Sequence, residues 1–310
     1  MSIIRTDLDH LESEAASIIR KAVFAGRATA ILFSGGKDSA VVHHIAKKAL
    51  TSCDVDHVSL VNIDTGDNFP EVSEFISYTA TSNTIFQHEP YTLEFDIEHG
   101  NIKLDSPHQS RNAFQSVTLR RAIDHGNYKF LIGGARRDEE KARAKERIFS
   151  IRKAFGGWEP EHQRPELWGL YNLSLNIDGA ERPGNNFRVF PISNWTELDV
   201  WRYIQRENIQ LPPIYFAHER QVVQRKNLLI PYMPPRTDAL CGELQPVTKM
   251  VRFRTVGDIT CTCPVESTAC TVQQIIEETA TTTVSERGAT RSDDATSESS
   301  MELRKKQGYF

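Results

Sequence analysis

The stretch Ser34-Gly35-Gly36-Lys37-Asp38-Ser39 is the part of this sequence best suited to chemistry. Adjacent glycines let a backbone bend in ways closed to other residues and bring its N–H groups to an anion with no side chain between. Ser34 and Ser39 add hydroxyl donors, Lys37 a cation, and a helix starting there adds partial positive charge. Such a loop suits a phosphate. It is not the G-x-x-x-x-G-K-[ST] loop, because Asp38 follows Lys37. A second anion-binding candidate is Arg136-Arg137, next to the turn Gly133-Gly134-Ala135. Guanidinium forks match the tetrahedral oxygens of phosphate or sulfate. The charges from Lys141 onward read instead as ion pairs on a solvated helix. Asp64-Thr65-Gly66 is a third candidate, with Asp64 equally able to act as a turn-forming carboxylate. Cys261 and Cys263 form a C-x-C without a partner pair, and they read as buried small hydrophobes rather than metal ligands. His43 and His44 fall within a helix and read as packed or exposed side chains.

The surrounding pattern must hold these residues together. Leu8, Leu11, Ala15, Ile18, Ile19 and Ala22 recur at helical spacing, with Thr6 and Asp9 forming a capping box. Ala28–Phe33 is β-compatible and runs into the glycine loop, after which Val41, Val42, Ile45, Ala46 and Leu50 resume helical spacing. Val58–Ile63 predicts a second strand, and Pro70 opens a helix through Ala80. Thr84–Gln87 predicts a third strand, Asn112–Asp124 a helix, and Lys129–Ile132 a strand before the Gly133-Gly134 turn. This alternation predicts an α/β fold, a doubly wound parallel sheet with ligands at the carboxyl ends of its strands. The loops after Phe33, Ile63 and Ile132 are then expected to share one crevice. Beyond Arg152 the pattern loosens, apart from a helix from Thr196 and another over Val272–Glu278. Thr279–Ser300 is polar and reads as disordered by itself, and the terminal Tyr309-Phe310 pair reads as docked on a surface. The expected division is an α/β domain over 1–195 and a C-terminal elaboration over 196–310 that docks a partner.

The sequence has 310 residues, 39% of them hydrophobic, enough for a sizeable core. A formal charge of −4 gives no global attraction to nucleic acid or an anionic membrane. No apolar run reaches the length of a membrane span and no signal peptide opens the chain. Five cysteines, an odd number, point to a reducing compartment, so the cytoplasm is expected.

The glycine loop resembles the pyrophosphate loop of the N-type ATP pyrophosphatases. A wider set of motifs is more specific: Gly133–Ser150, Gln163–Trp168, Phe190–Trp201, Ile214–His218, Met250–Thr255 and the end Gln307–Phe310. Together they closely resemble the small, ATP-binding subunit of heterodimeric bacterial sulfate adenylyltransferase. The main departures are Arg225–Val247 and Cys261-Thr-Cys263-Pro264. The resemblance implies a fold of the adenine-nucleotide α-hydrolase-like kind. It implies that Ser34, Gly35, Gly36, Lys37, Asp38 and Ser39 hold the pyrophosphate end of ATP, with Asp38 near Mg2+. It also implies that Asp64, Thr65, Gly66, Gly133 and Gly134 line the nucleotide site and that Arg136 and Arg137 receive the sulfate or phosphate. With Lys37 and Asp38, those two arginines form the expected catalytic group. The family works with a larger GTPase subunit, so GTP is expected on the partner alone. The rival readings are a phosphoadenylylsulfate reductase-like enzyme and a non-catalytic nucleotide-binding regulator. The reductase chemistry needs a C-terminal Glu-Cys-Gly-x-His motif, and this chain ends Gln307-Gly308-Tyr309-Phe310.

Overall fold

The computed structural model describes residues 7–55, 57–82, 85–106, 109–139, 144–153, 156–159, 166, 171, 185–225 and 228–282. Helix α1 (Asp7–Val23) buries Ala15, Ile18, Ile19 and Ala22, with Asp7 and Asp9 in its first turn and Arg20 and Lys21 in its last. Those charges oppose the helix dipole at each end. The capping partner Thr6 lies outside the described residues. Strand β1 (Thr29–Leu32) leads through the glycine loop to α2 (Lys37–Leu50), which begins inside the motif itself. Strand β2 (Val58–Asp64) is followed by α3 (Pro70–Thr81), with proline at its first turn. Then come β3 (Phe86–Thr92), a short α4 (Leu93–Glu98), and α5 (Gln115–Gly126), which follows a 3-10 turn. Strands β4 (Phe130–Ile132), β5 (Phe149–Arg152) and β6 (Asn186–Val189) complete a six-stranded sheet.

The order across this sheet is β3-β2-β1-β4-β6-β5. All pairings are parallel except β5 with β6. One face packs on α1, α2 and α3 through Ile31, Leu60, Phe130 and Ile132. The other packs on α5 through Ala30, Val61 and Leu131. Helices on both faces make the sheet doubly wound, as the alternation of strands and helices predicts. The central strands β1 and β4 are apolar on both sides for the same reason.

The second sheet has the order β10-β9-β7-β8 and is antiparallel throughout. It comprises β7 (His218–Arg225), β8 (Leu228–Pro231), β9 (Val247–Arg252) and β10 (Val265–Glu266). Helix α6 (Glu197–Glu207) carries the capping box of Thr196 and Asp199, and α7 (Asp238–Cys241) and α8 (Val272–Thr281) complete the described elements.

Three expectations are corrected. The third strand runs to Thr92, past Pro90; as the edge of the sheet it tolerates a residue without an N–H. The stretch after Lys141, read as a helix, is a turn leading into β5 over its described residues 144–152. There Phe149 and Ile151 join the core, while Ser150 and Arg152 face the opposite side with period two. Arg225–Val247, read as loosely patterned, contains β8 and α7. The tail beyond 282, Tyr309-Phe310 and most of the Gln163–Trp168 motif lie outside the described residues.

Candidate functional site

Strand order dictates where a ligand can enter. From β1 the chain adds β2 and β3 on one flank, then returns to place β4 on the other flank of β1. The loops after β1 and β4 therefore part at this seam, and such switch points form the crevice of a doubly wound sheet. A cavity of about 290 Å3 lies here. Its floor is Leu32, Val61, Ile63 and Leu131 on the face toward α5; Ser34, Gly36, Asp38 and Ser39 form one rim, with Gly133 and Gly134 beside them. Asn112 on the 3-10 turn, Gln115 at the start of α5 and the segment Thr255–Asp258 close it. That last segment is pinned to α6 by the Arg254–Glu197 ion pair (2.7 Å) and to the connection between β2 and α3 by the Asn68–Asp258 bridge and the Phe69–Phe253 ring contact. A more open cavity of about 870 Å3 lies at the amino ends of β1 and β2, around Thr29, Val58 and Glu89. It has no glycine loop and no helix amino terminus, so the seam is the better anion site.

The loop geometry separates the two glycines. Gly35 has φ +73°, and a Cβ there would lie 2.8 Å from Val72 Cγ1, so both backbone and space require glycine. Gly36 caps α2 with φ −76° and ψ 159°, a conformation any residue adopts. The expectation that both glycines supply special backbone angles therefore holds for Gly35 alone. At Gly134 a Cβ would be 2.9 Å from the Asp38 carbonyl carbon, so this glycine lets the β4 loop touch the first turn of α2. The amides of that turn are met by hydroxyls. Lys37 N donates to Tyr215 OH (2.8 Å), Gly36 N donates to Ser34 Oγ (3.4 Å), and Ser39 Oγ bonds both Gly36 O (2.8 Å) and Ser34 Oγ (3.3 Å). Neutral oxygens thus occupy positions where phosphate oxygens would accept the same N–H groups.

The charged residues of the motif form a buried cluster. Lys37 is 1% exposed, and its Nζ contacts Asp38 Oδ2 at 2.9 Å. Arg136, also 1% exposed, holds Asp38 Oδ1 through Nε at 2.7 Å. Burial pushes the Asp38 carboxyl up, but Arg136 and Lys37 outweigh it and hold it down at about 2. The expectation that Asp38 ligates Mg2+ does not fit this arrangement. Both its oxygens face cations, and a divalent ion there would meet two positive charges. Arg136 and Arg137 were expected to face the crevice, and neither lines it. Arg136 is drawn to Asp38, while Arg137 donates to Asn194 Oδ1 and to the Glu146 carbonyl (3.1 Å through Nη2). Asp64, Thr65 and Gly66 likewise build the loop after β2 rather than the cavity wall. Asp64 Oδ1 accepts from Gly66 N (2.9 Å) and Asn68 Nδ2 (3.0 Å), and Thr65 Oγ1 accepts from Asp67 N (3.1 Å). The turn-forming alternative for Asp64 is what its contacts display.

Three cavity residues carry no assigned role in the sequence reading. Tyr215 is held by the edge of Trp201, ring centroids 5.8 Å apart, and places its hydroxyl on the Lys37 amide across 178 positions of sequence. Asp258 is 1% exposed, and its carboxyl is pushed up to about 6 by burial against hydrogen bonds from Thr260, with Asp67 adding to the rise. Arg188 on β6 is 1% exposed and lines the cavity. The one sequence signal for Arg188 was the alternation Phe187-Arg188-Val189, a charge inside a β-compatible run. Cys241, Cys261 and Cys263 are buried, as expected for small hydrophobes, whereas Cys270 is exposed. His43 packs between Phe33 and Phe86 and is held neutral by burial, its pKa lowered to about 4.

Comparison with known proteins identifies the family. The family of the phosphoadenosine phosphosulfate reductase domain matches residues 28–264. A protein of Mycobacterium sp. (strain KMS) named sulfate adenylyltransferase subunit 2 is 48% identical, over 98% of this chain and 96% of its own length. One of the same name from Streptomyces lavendulae is 46% identical, over 98% of this chain and 92% of its own. Among solved structures, FMN adenylyltransferase of Candida glabrata superposes with a TM-score of 0.46 at 14% identity, over 69% of this chain and 64% of that one. With the glycine loop at the head of α2, the parallel sheet and near full-length identity approaching one half, the chain belongs to the sulfate adenylyltransferase subunit 2 family, of the N-type ATP pyrophosphatase kind.

Proposed function

We propose that this chain binds ATP in the crevice between β1 and β4 and transfers its adenylyl group to sulfate. The observation that carries the reading is the anion-receptive first turn of α2, opening on the switch point of the sheet in a member of this family. The pyrophosphate end of ATP would replace the hydroxyls of Ser34 and Tyr215 on the amides of Gly36 and Lys37. The adenosine would lie along the apolar floor. A sulfate oxygen then bonds to the α-phosphorus, the bond to the bridging oxygen breaks, and pyrophosphate leaves with the electron pair. No side chain need act as nucleophile. The protein's contribution is orientation and charge placement. The buried cluster of Lys37, Asp38 and Arg136 acts through the loop, fixing the first turn of α2 in place.

Adenylyl sulfate is a mixed anhydride, so its synthesis from ATP and sulfate is uphill. The chain has no G-x-x-x-x-G-K-[ST] loop for GTP. We therefore assign the driving step to GTP hydrolysis on a larger partner subunit, and we place the complex in the cytoplasm. The C-terminal part, over 196–310, is the proposed docking region. Among the described residues no helix is long and apolar enough to cross a membrane. The matched domain family is named for a reductase, but no cysteine belongs to the cavity lining, and three of the five are buried. The deciding experiment measures sulfate-dependent pyrophosphate release from ATP by the chain with and without its co-purified partner, at varied GTP. Release that ignores sulfate overturns the adenylyl-transfer reading. Full-rate synthesis by the chain alone, indifferent to GTP, overturns the partner reading.

A further inference from the structure

A sulfate adenylyltransferase must hold a tetrahedral dianion beside ATP, and the two arginines expected for that task are engaged elsewhere. The charged side chains lining the cavity, among the described residues, are Asp38, Glu139, Asp258 and Arg188. Three are acidic. Among the described residues an anion entering this space therefore meets one lining cation, on β6.

We propose that Arg188 is the group that receives sulfate. This rests on the adenylyl-transfer reading above. Leu131 on β4 is the register partner of Arg188, and β4 in turn pairs with β1, which feeds the glycine loop. Arg188 thus extends the floor formed by Leu32 and Leu131, on the side away from β2 and β3. Adjacent strands are spaced about 4.8 Å apart, so Arg188 stands about two spacings from the strand that feeds the pyrophosphate loop. That separation suits a second substrate rather than the leaving group.

The guanidinium is built as a receptor left open. It is 1% exposed, and its Nε and Nη1 are buried with no hydrogen-bond partner. The nearby acid does not neutralise it. Glu146 Oε1 is taken by Arg152 and by Ser150 Oγ (3.0 Å), and Ser150 is the register neighbour of Arg188 on β5. Buried charges are ordinarily paired, because a lone one forfeits its hydration. An arginine kept in this state implies a counter-anion that arrives from solution. Burial and the neighbouring Arg152 push its pKa down to about 9, with Glu146 opposing, so it stays charged at neutral pH. A planar fork of donors matches two oxygens of a tetrahedral anion.

The test uses the full chain in complex with its partner and compares wild type with Arg188→Met and Arg188→Lys, measuring pyrophosphate release while sulfate and ATP are varied separately. Methionine fills similar space and removes an uncompensated buried charge, so this variant is expected to unfold no earlier than wild type. Loss of charge-assisted hydrogen bonds is expected to raise the sulfate KM at least about tenfold in Arg188→Met. Arg188→Lys, which keeps the charge and loses the fork, is expected to fall between, with the ATP KM within about twofold in both. An unchanged sulfate KM in either folded variant overturns the assignment while the adenylyl-transfer reading stands. A loss of ATP affinity with the sulfate KM intact also overturns it, moving Arg188 to the nucleotide phosphates. Wild-type release that does not depend on sulfate is the separate result that removes the functional reading itself.

Discussion

Replacing Asp38 with asparagine is expected to destabilise the protein through the cations it leaves behind. The side chain keeps its shape and loses its charge, while Lys37 and Arg136 remain buried at 1% exposure each. The carboxyl stands at about 2 against the ordinary aspartate value of 3.8, so at neutral pH it contributes about 2 kcal/mol. Breaking one side of a buried pair costs about 3–5 kcal/mol. The lower end applies, because Asp38 is 22% exposed and Arg136 Nη1 keeps Asp138 at 3.6 Å; the expected loss is about 3 kcal/mol. The pH dependence has a definite sign. A carboxyl with a depressed folded pKa stabilises fully above its unfolded value and loses that contribution as pH falls from about 4 toward 2. Urea unfolding of the purified chain and its Asp38→Asn variant, at pH 7, 5 and 3 in the same salt, checks this. The gap should be equal at pH 7 and 5 and shrink by about 1 kcal/mol at pH 3. A gap below about 0.5 kcal/mol at pH 7, or one that does not narrow at pH 3, refutes the reasoning.

Gly35→Ala is expected to cost about 2–5 kcal/mol in thermal or urea unfolding, from a left-handed backbone and a Cβ 2.8 Å from Val72 Cγ1. Gly36→Ala should fold at nearly wild-type stability, since its Cβ meets Ser34 Oγ at 3.4 Å and Tyr215 OH at 3.5 Å. Calorimetry should nonetheless show weaker ATP binding by Gly36→Ala, and weaker still by Gly36→Val, because the side chain stands beside the amides offered to phosphate. Asp258, with a folded pKa raised to about 6, should make stability fall as pH rises from about 4 to 6. Asp258→Asn should flatten that slope and stabilise the protein at pH 7 by up to about 3 kcal/mol, as read by unfolding at each pH.

The strand-loop-helix of 28–50 was legible because everything it needs is local. An apolar run, two glycines and a helical repeat fall within about twenty positions, and β1 and α2 form there. The same holds for β2, α3, α5, β4 and α6, whose boundaries follow from periodicity, Pro70 and the Thr196 cap. Placement of the site at the carboxyl ends of the strands also follows from the alternation itself. β5 and β6 were hidden for a different reason. They pair across 33 intervening residues, and their polar faces, with Ser150, Arg152, Asn186 and Arg188 buried, contradict the usual pattern of an apolar strand. The four-stranded sheet was missed because its pairings are non-local and its strands are largely polar on one face.

Composition and motif spacing thus determined which residues could meet an anion, and that they would gather at one edge of a parallel sheet. Only the tertiary structure decided which charges are free to meet it. Arg136 and Arg137 stand next to the right turn, yet neither lines the cavity, Arg136 Nε being held by Asp38 and Arg137 Nη2 by the Glu146 carbonyl. Arg188, 51 positions further along the chain than Arg137, arrives beside Leu131 through strand pairing, with buried nitrogens unpartnered. A charge's availability depends on its neighbours in space, and sequence spacing does not contain them.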